Sequence, residues 1–181
     1  ASWRGRFFDR FEEKNGRAMK RHSSLHPLSQ HHHFALIQAL EMRRAAESPL
    51  EKRAALIEKH AAKFVRFWHK SGSVHFREEE EVLLPAYSRH IRLDQDADVM
   101  RLLADHAEIR ATVLDFAQHL AAKTPIEPER MAQLAQLLHD HVRFEENVLF
   151  PRIENVLGEN GLQAMGQGLS RLHSKNDPCE I

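Results

Sequence analysis

The same eleven-residue pattern occurs twice in the chain, and each copy ends in a proline. The first copy reads HFREEEEVLLP from His75 and the second reads HVRFEENVLFP from His141, with seven of the eleven positions identical. Each histidine is followed four residues later by a glutamate, Glu79 or Glu145, and residues four apart lie on the same face of an α-helix. An imidazole and a carboxylate placed in this way can bind the same metal centre. The pattern therefore indicates two helices that carry matching pairs of polar ligands.

The composition and the positions of turn-forming residues predict an almost entirely helical chain. Only 7 Gly and 7 Pro occur among 181 residues, and Ala, Leu, Glu and Arg are abundant. Apolar residues recur at helical spacing in four long segments that are separated by turn-forming residues. These predicted helices run from about Leu28 to Ala46, from about Pro49 to Leu84, from about Asp94 to Ala122 and from about Pro128 to Phe150.

Particular residues mark the expected ends of these helices. Pro85 and Pro151 cannot continue a helical hydrogen-bond ladder, so we expect them to end the second and fourth helices. Asp94 is the expected N-cap of the third helix, and residues 71–73 (SGS) are expected to bend the second. Short connections make antiparallel neighbours, so the sequence predicts an all-α, up-down-up-down four-helix bundle. A weaker amphipathic segment in 158–181 predicts a short C-terminal helix and a tail.

The 14 histidines exceed what a helical domain needs for packing, and histidine is the commonest metal-binding side chain. On the third predicted helix, His106 lies on the apolar stripe. On the first, the apolar residues centre on His32, which we expect to face inward, with His33 as the alternative. Four imidazoles and two carboxylates from four helices suit a dinuclear site for iron or manganese, with zinc as an alternative. The predicted metal ligands are His32, His75, Glu79, His106, His141 and Glu145.

These motifs resemble the helix signatures of the hemerythrin-like HHE cation-binding domain family. The matching stretches are LSQHHHFAL, HFREEEEVLLP, DHAEIR and HVRFEENVLFP, and the resemblance covers about residues 20–157. It implies a left-handed four-helix bundle around two iron ions that are bridged by oxo or carboxylate groups. The six residues named above occupy the family's ligand positions.

The chain departs from the oxygen-carrying hemerythrins at two positions. Those carriers have a further histidine one turn after the third-helix histidine, where this chain has Arg110. The fourth-helix carboxylate is Glu145, at the fourth position, rather than an aspartate at the fifth, where Glu146 stands. With one imidazole fewer, one iron has an extra open position, so we expect metal binding without reversible oxygen carriage. Arg110 cannot ligate a metal, and we expect it either to hydrogen-bond an anionic ligand or to turn away.

Charge and cysteine content exclude several classes of protein. The 26 basic and 26 acidic residues give zero formal charge, which removes the basic footprint of a general nucleic-acid binder. The single cysteine, Cys179, excludes an internal disulfide framework and an iron–sulfur cluster. No apolar run is long enough to span a bilayer, and no secretory signal is present, so the expected location is cytoplasmic. No histidine has a glutamate three residues before it, which excludes the ferritin-like di-iron class.

We expect three parts in the chain: an N-terminal extension (1–21), the metal-binding domain (22–157) and the C-terminal helix and tail (158–181). The extension places aromatic side chains among arginines on one helical face. We expect that it packs on the bundle or that Met19 is the natural start, since one short stripe is a weak signal. The alternative is a segment that binds a membrane surface or a partner.

Three functions are compatible with these features. The favoured one is a binding module whose two iron ions take up O₂, NO or peroxide for sensing, storage or scavenging. The second is a di-iron peroxidase or oxidase, and the third is a metal-free helical interaction module. The sequence leaves the physiological ligand, the redox partner and the oligomeric state open.

Overall fold

The computed structural model describes residues 21–176, and all regular structure in that range is helical. This confirms the predicted all-α class. In chain order the elements are a 3-10 turn (Ser23–Leu25), helix α1 (His26–Ala46), helix α2 (50–87), a 3-10 turn (Leu93–Gln95), helix α3 (Ala97–Ala122), helix α4 (128–157) and helix α5 (159–176). The predicted extension lies outside the described residues except for Arg21, and so does Cys179.

Two of these helices contain π turns, in which the backbone hydrogen bond spans five residues instead of four. Helix α2 consists of Leu50–Phe67, the π turn Trp68–Gly72, Ser73–Glu78, the π turn Glu79–Leu83 and Leu84–Tyr87. Helix α4 consists of Pro128–Phe144, the π turn Glu145–Leu149 and the first part of Phe150–Asn176. The predicted bend at residues 71–73 coincides with the first π turn. The other two π turns begin at the repeated glutamates.

The prediction that Pro85 and Pro151 end their helices was wrong. Helix α2 continues to Tyr87, and α4 continues past Pro151. In each case a π turn precedes the proline, closed by the N–H of Leu84 on the carbonyl of Glu79 and by the N–H of Phe150 on that of Glu145. A proline in a regular α-helix clashes with the carbonyl four residues before it. That carbonyl lies within the wider π turn in both copies, which lets the helix pass the proline.

Other helix ends also differ slightly from the sequence prediction. Helix α3 is capped by Asp96 and not by Asp94, because the Asp96 carboxylate accepts hydrogen bonds from the backbone N–H groups of Asp98 and Val99. Helix α1 begins at His26, two residues before the predicted start. At Gly158 the backbone leaves the helical conformation, with φ 59° and ψ −177°, and α5 begins after it. A positive φ is readily adopted by glycine, which explains the break at this position.

The helices pack along one another and bury two separate apolar clusters. Helix α1 packs against α2 and α4, and α3 packs against α2 and α4. The first cluster includes Ala39, Met42, Phe64, Phe116 and Leu134. The second includes Leu28, Leu83, Leu102, Leu149 and Phe150, with residues of α5. Along each of the four long helices, the predicted ligands lie between residues of the first cluster and residues of the second. No helix in the described range is both long and apolar enough to cross a membrane.

Candidate metal centre

All six predicted ligands come together in one buried place between the two apolar clusters. Their exposed fractions are at most 6%. They form two groups of potential metal-binding atoms, and within each group the atoms lie within 4.8 Å of one another. One group contains His32 and His75, the other contains His106 and His141, and both groups contain Glu79 and Glu145. The six side chains thus form two neighbouring half-sites that share two carboxylates.

Each shared carboxylate directs one oxygen to each half-site. Glu79 Oε1 lies 3.5 Å from His75 Nε2, and Glu79 Oε2 lies 3.2 Å from His106 Nε2. Glu145 Oε2 lies 2.9 Å from His32 Nε2, and Glu145 Oε1 lies 3.2 Å from His141 Nε2. Every half-site therefore offers two imidazole nitrogens and two carboxylate oxygens. Imidazole nitrogens and carboxylate oxygens are donors that divalent cations bind, so each half-site offers a donor set that could hold a metal.

The repeated sequence explains why the two halves match. His75 and Glu79 lie in α2, and His141 and Glu145 lie in α4, each pair one helical turn apart. In both helices the glutamate is the first residue of a π turn. π turns often occur at functional sites, where they alter the direction of side chains relative to a regular helix. His32 of α1 and His106 of α3 complete the two half-sites.

Of the three adjacent histidines in α1, only His32 faces the centre. Its ring is buried, and its Nε2 lies 2.9 Å from that of His75. His33, the alternative, is exposed and packs against Phe34. The Nδ1 atom of His31 lies 3.2 Å from Glu78, so it contacts the edge of the cluster. His32 is therefore the α1 residue that this geometry makes available.

The outward ring nitrogens of the inward-facing histidines also lie near carboxylates. His32 Nδ1 is 2.6 Å from Glu146 Oε1, and His106 Nδ1 is 2.7 Å from Glu80 Oε1. His141 Nδ1 lies 3.5 Å from Asp105, and His75 Nδ1 lies 3.9 Å from Glu78. The two short contacts, of His32 and His106, are of the kind that fixes the orientation of metal-binding imidazoles. Our sequence analysis missed these outer carboxylates, although the second glutamate common to both repeats was a signal for two of them.

Arg110 turns away from the centre, which is one of the two orientations that the sequence left open. Its guanidinium donates two hydrogen bonds to the Glu80 carboxylate, both 2.9 Å long, and its side chain remains 40% exposed. It therefore contacts an outer carboxylate and not a position between the half-sites.

Burial makes the charges of this cluster interdependent. Burial and the carboxylate of Glu145 raise the pKa of Glu79 well above its ordinary value. Burial alone lowers the pKa of His32, but the carboxylates of Glu145 and Glu146 raise it to about 9. Burial and the neighbouring His32 keep the pKa of His75 well below its ordinary value. In the absence of a metal, the cluster thus favours protons on His32 and Glu79, and bound cations would supply that positive charge instead.

The residues fit a metal on a second, independent observation. Within the described chain, both oxygens of Glu79 and of Glu145, and the Nε2 atoms of His106 and His141, are buried, and none of their contacts has the geometry of a hydrogen bond. Buried polar atoms without partners are costly and rare. These six atoms are all donors of the kind that cations bind, and they converge on the two half-sites.

A small cavity adjoins the cluster between α1, α2 and α4. Its volume is about 20 Å³, enough for about one water-sized molecule. His32, His75 and His141 form part of its wall. The remaining wall is mostly apolar and includes Ala35, Phe64, Phe67, Trp68, Phe76, Leu138 and Val142. The cavity therefore joins the potential ligands to a space that suits a very small and weakly polar molecule.

The family comparison agrees with the site. The family model described as the hemerythrin HHE cation-binding domain matches residues 24–153, which is most of the chain. The chain therefore belongs to this family, and the family implies cation binding. No match was found among curated proteins or among solved structures.

Proposed function

We propose that this chain binds two iron ions in the two half-sites and that they take up a small ligand, O₂, NO or peroxide. The observation that carries the proposal is the pair of carboxylates, Glu79 and Glu145, each of which directs one oxygen to one half-site and its other oxygen to the other half-site. His32 and His75 would hold one ion, and His106 and His141 the other. An iron pair supplies open coordination positions and reversible one-electron oxidation. Manganese fits the same ligand set, and zinc is the non-redox alternative.

The cavity supports a small ligand. Its volume of about 20 Å³ and its mostly apolar lining match a molecule about as small as a diatomic gas. Its position against three of the histidines brings such a molecule beside the half-sites. We propose that the ligand is used for sensing, storage or scavenging.

We further propose the up-down-up-down bundle arrangement and the domain division 22–157 and 158–181. The order of the apolar clusters along the chain supports this arrangement. Helix α1 passes from the second cluster (Leu28) to the first (Met42), whereas α2 passes from the first (Phe64) to the second (Leu83). Helix α3 then runs in the same sense as α1, and α4 in the same sense as α2, as an alternating bundle requires.

Iron analysis of the purified chain tests the proposal. We expect about two iron atoms per chain after expression in iron-rich medium or anaerobic loading with Fe²⁺. The double variant His75→Ala/His141→Ala removes one imidazole from each half-site and should lose most of this iron. The double variant His69→Ala/His90→Ala removes two exposed histidines and should keep it. Wild-type iron content in the first double variant, or no iron in the wild type, would contradict the proposal.

A further inference from the structure

In two of the potential ligand histidines, the ring nitrogen that points away from the half-sites contacts a glutamate. The Nδ1 atom of His32 is 2.6 Å from Glu146, and the Nδ1 atom of His106 is 2.7 Å from Glu80. Each of these glutamates directly follows a shared carboxylate in the repeated sequence. His32 of α1 is thus contacted by α4, and His106 of α3 is contacted by α2. Both copies of the repeated sequence therefore supply an outer carboxylate as well as a potential ligand pair.

An arginine completes each contact. Arg110 donates two hydrogen bonds of 2.9 Å to the two oxygens of Glu80. Arg21 donates one of 2.8 Å to the Glu146 carboxylate and one of 2.7 Å to the Glu146 backbone carbonyl. The second oxygen of each glutamate is therefore occupied by a guanidinium. Each carboxylate therefore lies between an imidazole and a guanidinium.

We propose that Glu80 with Arg110, and Glu146 with Arg21, are two matched sets of positioning residues that orient His106 and His32 toward the metal centre. This inference rests on the proposed function. A carboxylate on Nδ1 fixes the rotation of the imidazole and keeps a proton on the outer nitrogen, so that Nε2 is the nitrogen that would give up its proton and bind a cation. The arginine holds the carboxylate in turn through directional, charge-assisted hydrogen bonds.

The two sets differ in where their arginine comes from. Arg110 lies on α3, within the family match, whereas Arg21 precedes α1 and lies outside residues 24–153. Arg21 is also anchored to Glu154 of α4 at 3.0 Å, and the backbone N–H of the next residue, His22, donates to the same carboxylate at 2.7 Å. The residues just before α1 therefore help to position the His32 half-site. The His106 half-site is supported from within the domain.

Isosteric variants test the role of the glutamates in the full-length chain. Glu80→Gln and Glu146→Gln keep the side-chain shape and remove the charge that the histidine and arginine contact. Glu81→Gln is the matched control, because Glu81 is exposed and pairs with Arg77 on the same helix. Loading uses Fe²⁺ without oxygen, and affinity is measured by competition with a ferrous chelator. We expect one of the two ions to bind about 10–100-fold more weakly in each test variant and both to bind normally in the control.

The arginine variants test the asymmetry. Arg21→Ala should weaken the ion at the His32 half-site, and Arg110→Ala the ion at the His106 half-site. Lysine in either place keeps the charge but loses the paired N–H donors, so its effect should be intermediate. Combining Arg21→Ala with Glu146→Gln should add little, because both changes act on one histidine. Combining Arg21→Ala with Glu80→Gln should weaken both ions.

The melting temperatures of the metal-free variants distinguish a misplaced histidine from a general loss of folding stability. A general structural defect would lower them below that of the metal-free wild type, whereas a positioning defect changes iron affinity without that loss. The proposal is overturned if Glu80→Gln and Glu146→Gln bind two iron ions as tightly as Glu81→Gln, or if their iron loss merely follows a loss of the fold. Absence of iron from the wild type is a different result, and it would overturn the proposed function as well.

Discussion

His32 carries a carboxylate at each of its two ring nitrogens. Glu145 lies 2.9 Å from Nε2, and Glu146 lies 2.6 Å from Nδ1. Burial disfavours a charged imidazole, yet these two carboxylates raise the pKa of His32 to about 9. At neutral pH the metal-free ring is therefore protonated on the nitrogen that a cation needs. If His32 binds a metal as proposed, uptake at this residue exchanges a cation for a proton.

This exchange predicts an unusual pH range for metal binding. An ordinary histidine with a pKa near 6.5 would make affinity level off above about pH 7. Because His32 keeps its proton up to about pH 9, we expect affinity for Fe²⁺ to go on rising between pH 7 and 8.5, with proton release on binding. Anaerobic chelator competition at several pH values measures the slope.

Glu146→Gln serves as the comparison for this pH experiment. It removes one of the two carboxylates that hold the proton on His32, so the pH slope above 7 should become shallower even though affinity falls. A wild-type affinity that is flat above pH 7 would show that the proton on His32 does not compete with the metal.

At the scale of the helices, the π turns are the feature that the sequence did not predict. Apolar periodicity predicted the four long helices, and the spacing of histidine and glutamate predicted the ligand pairs. Both depend on residues near one another in the chain, within one or two turns. The effect of Pro85 and Pro151 depends on the hydrogen bonds of the turn before each proline, and local propensity indicated only a helix end.

The outer contacts were hidden for a related reason. Glu80 and Glu146 contact histidines on other helices, so their partners are fixed by packing and not by spacing along the chain. The sequence left open whether Arg110 hydrogen-bonds an anionic ligand or turns away, because its pairing with Glu80 depends on how α2 and α3 pack. The contacts of Arg21 with α4 could not be predicted at all, because no pattern in the first residues points to that helix.

A substitution in the π turn Trp68–Gly72 tests how closely the side chains around the cavity are packed. A Cβ atom on Gly72 would lie 2.8 Å from Cε3 of the Trp68 ring, which is too close. Trp68 packs edge-on against Phe76, and Phe76 stacks on His106 with ring centroids 3.5 Å apart. Gly72→Ala should therefore push the indole toward the cavity and toward the ligand shell. We expect overpacking to cost about 1–3 kcal/mol of unfolding free energy, offset in part by alanine's helix propensity of about 1 kcal/mol.

A double-mutant cycle separates these two effects. Trp68→Phe removes the ring atoms that the new Cβ would strike, whereas the helix propensity of alanine is the same in both backgrounds. Gly72→Ala should therefore cost less in the Trp68→Phe background, by about 0.5–3 kcal/mol in urea unfolding. Equal costs in the two backgrounds would show that the indole does not limit the space at this turn.

On the scale of the whole molecule, the polar centre divides the core. Apolar side chains form one cluster on each side of it, and the four long helices contribute to both. Four imidazoles and two carboxylates therefore occupy the middle of the described domain, between the two apolar clusters. Without cations, several of their atoms are buried without hydrogen-bond partners. The stability of the whole domain should then depend on the metal.

Removing the metal should lower the melting temperature of the entire chain. A ligand present at about 100–1,000 times its dissociation constant stabilises the folded state by about 3–4 kcal/mol, and a domain of this size gains about 2–4 °C per kcal/mol. We therefore expect the metal-free chain at pH 7.5 to melt about 10 °C below the iron-loaded chain and to recover when Fe²⁺ is returned without oxygen. The double variant His75→Ala/His141→Ala is the control, since a chelator should leave its melting curve unchanged. Identical curves for the wild type with and without chelator would mean that the two apolar clusters hold the fold without a metal, as in a bundle that serves only for interaction.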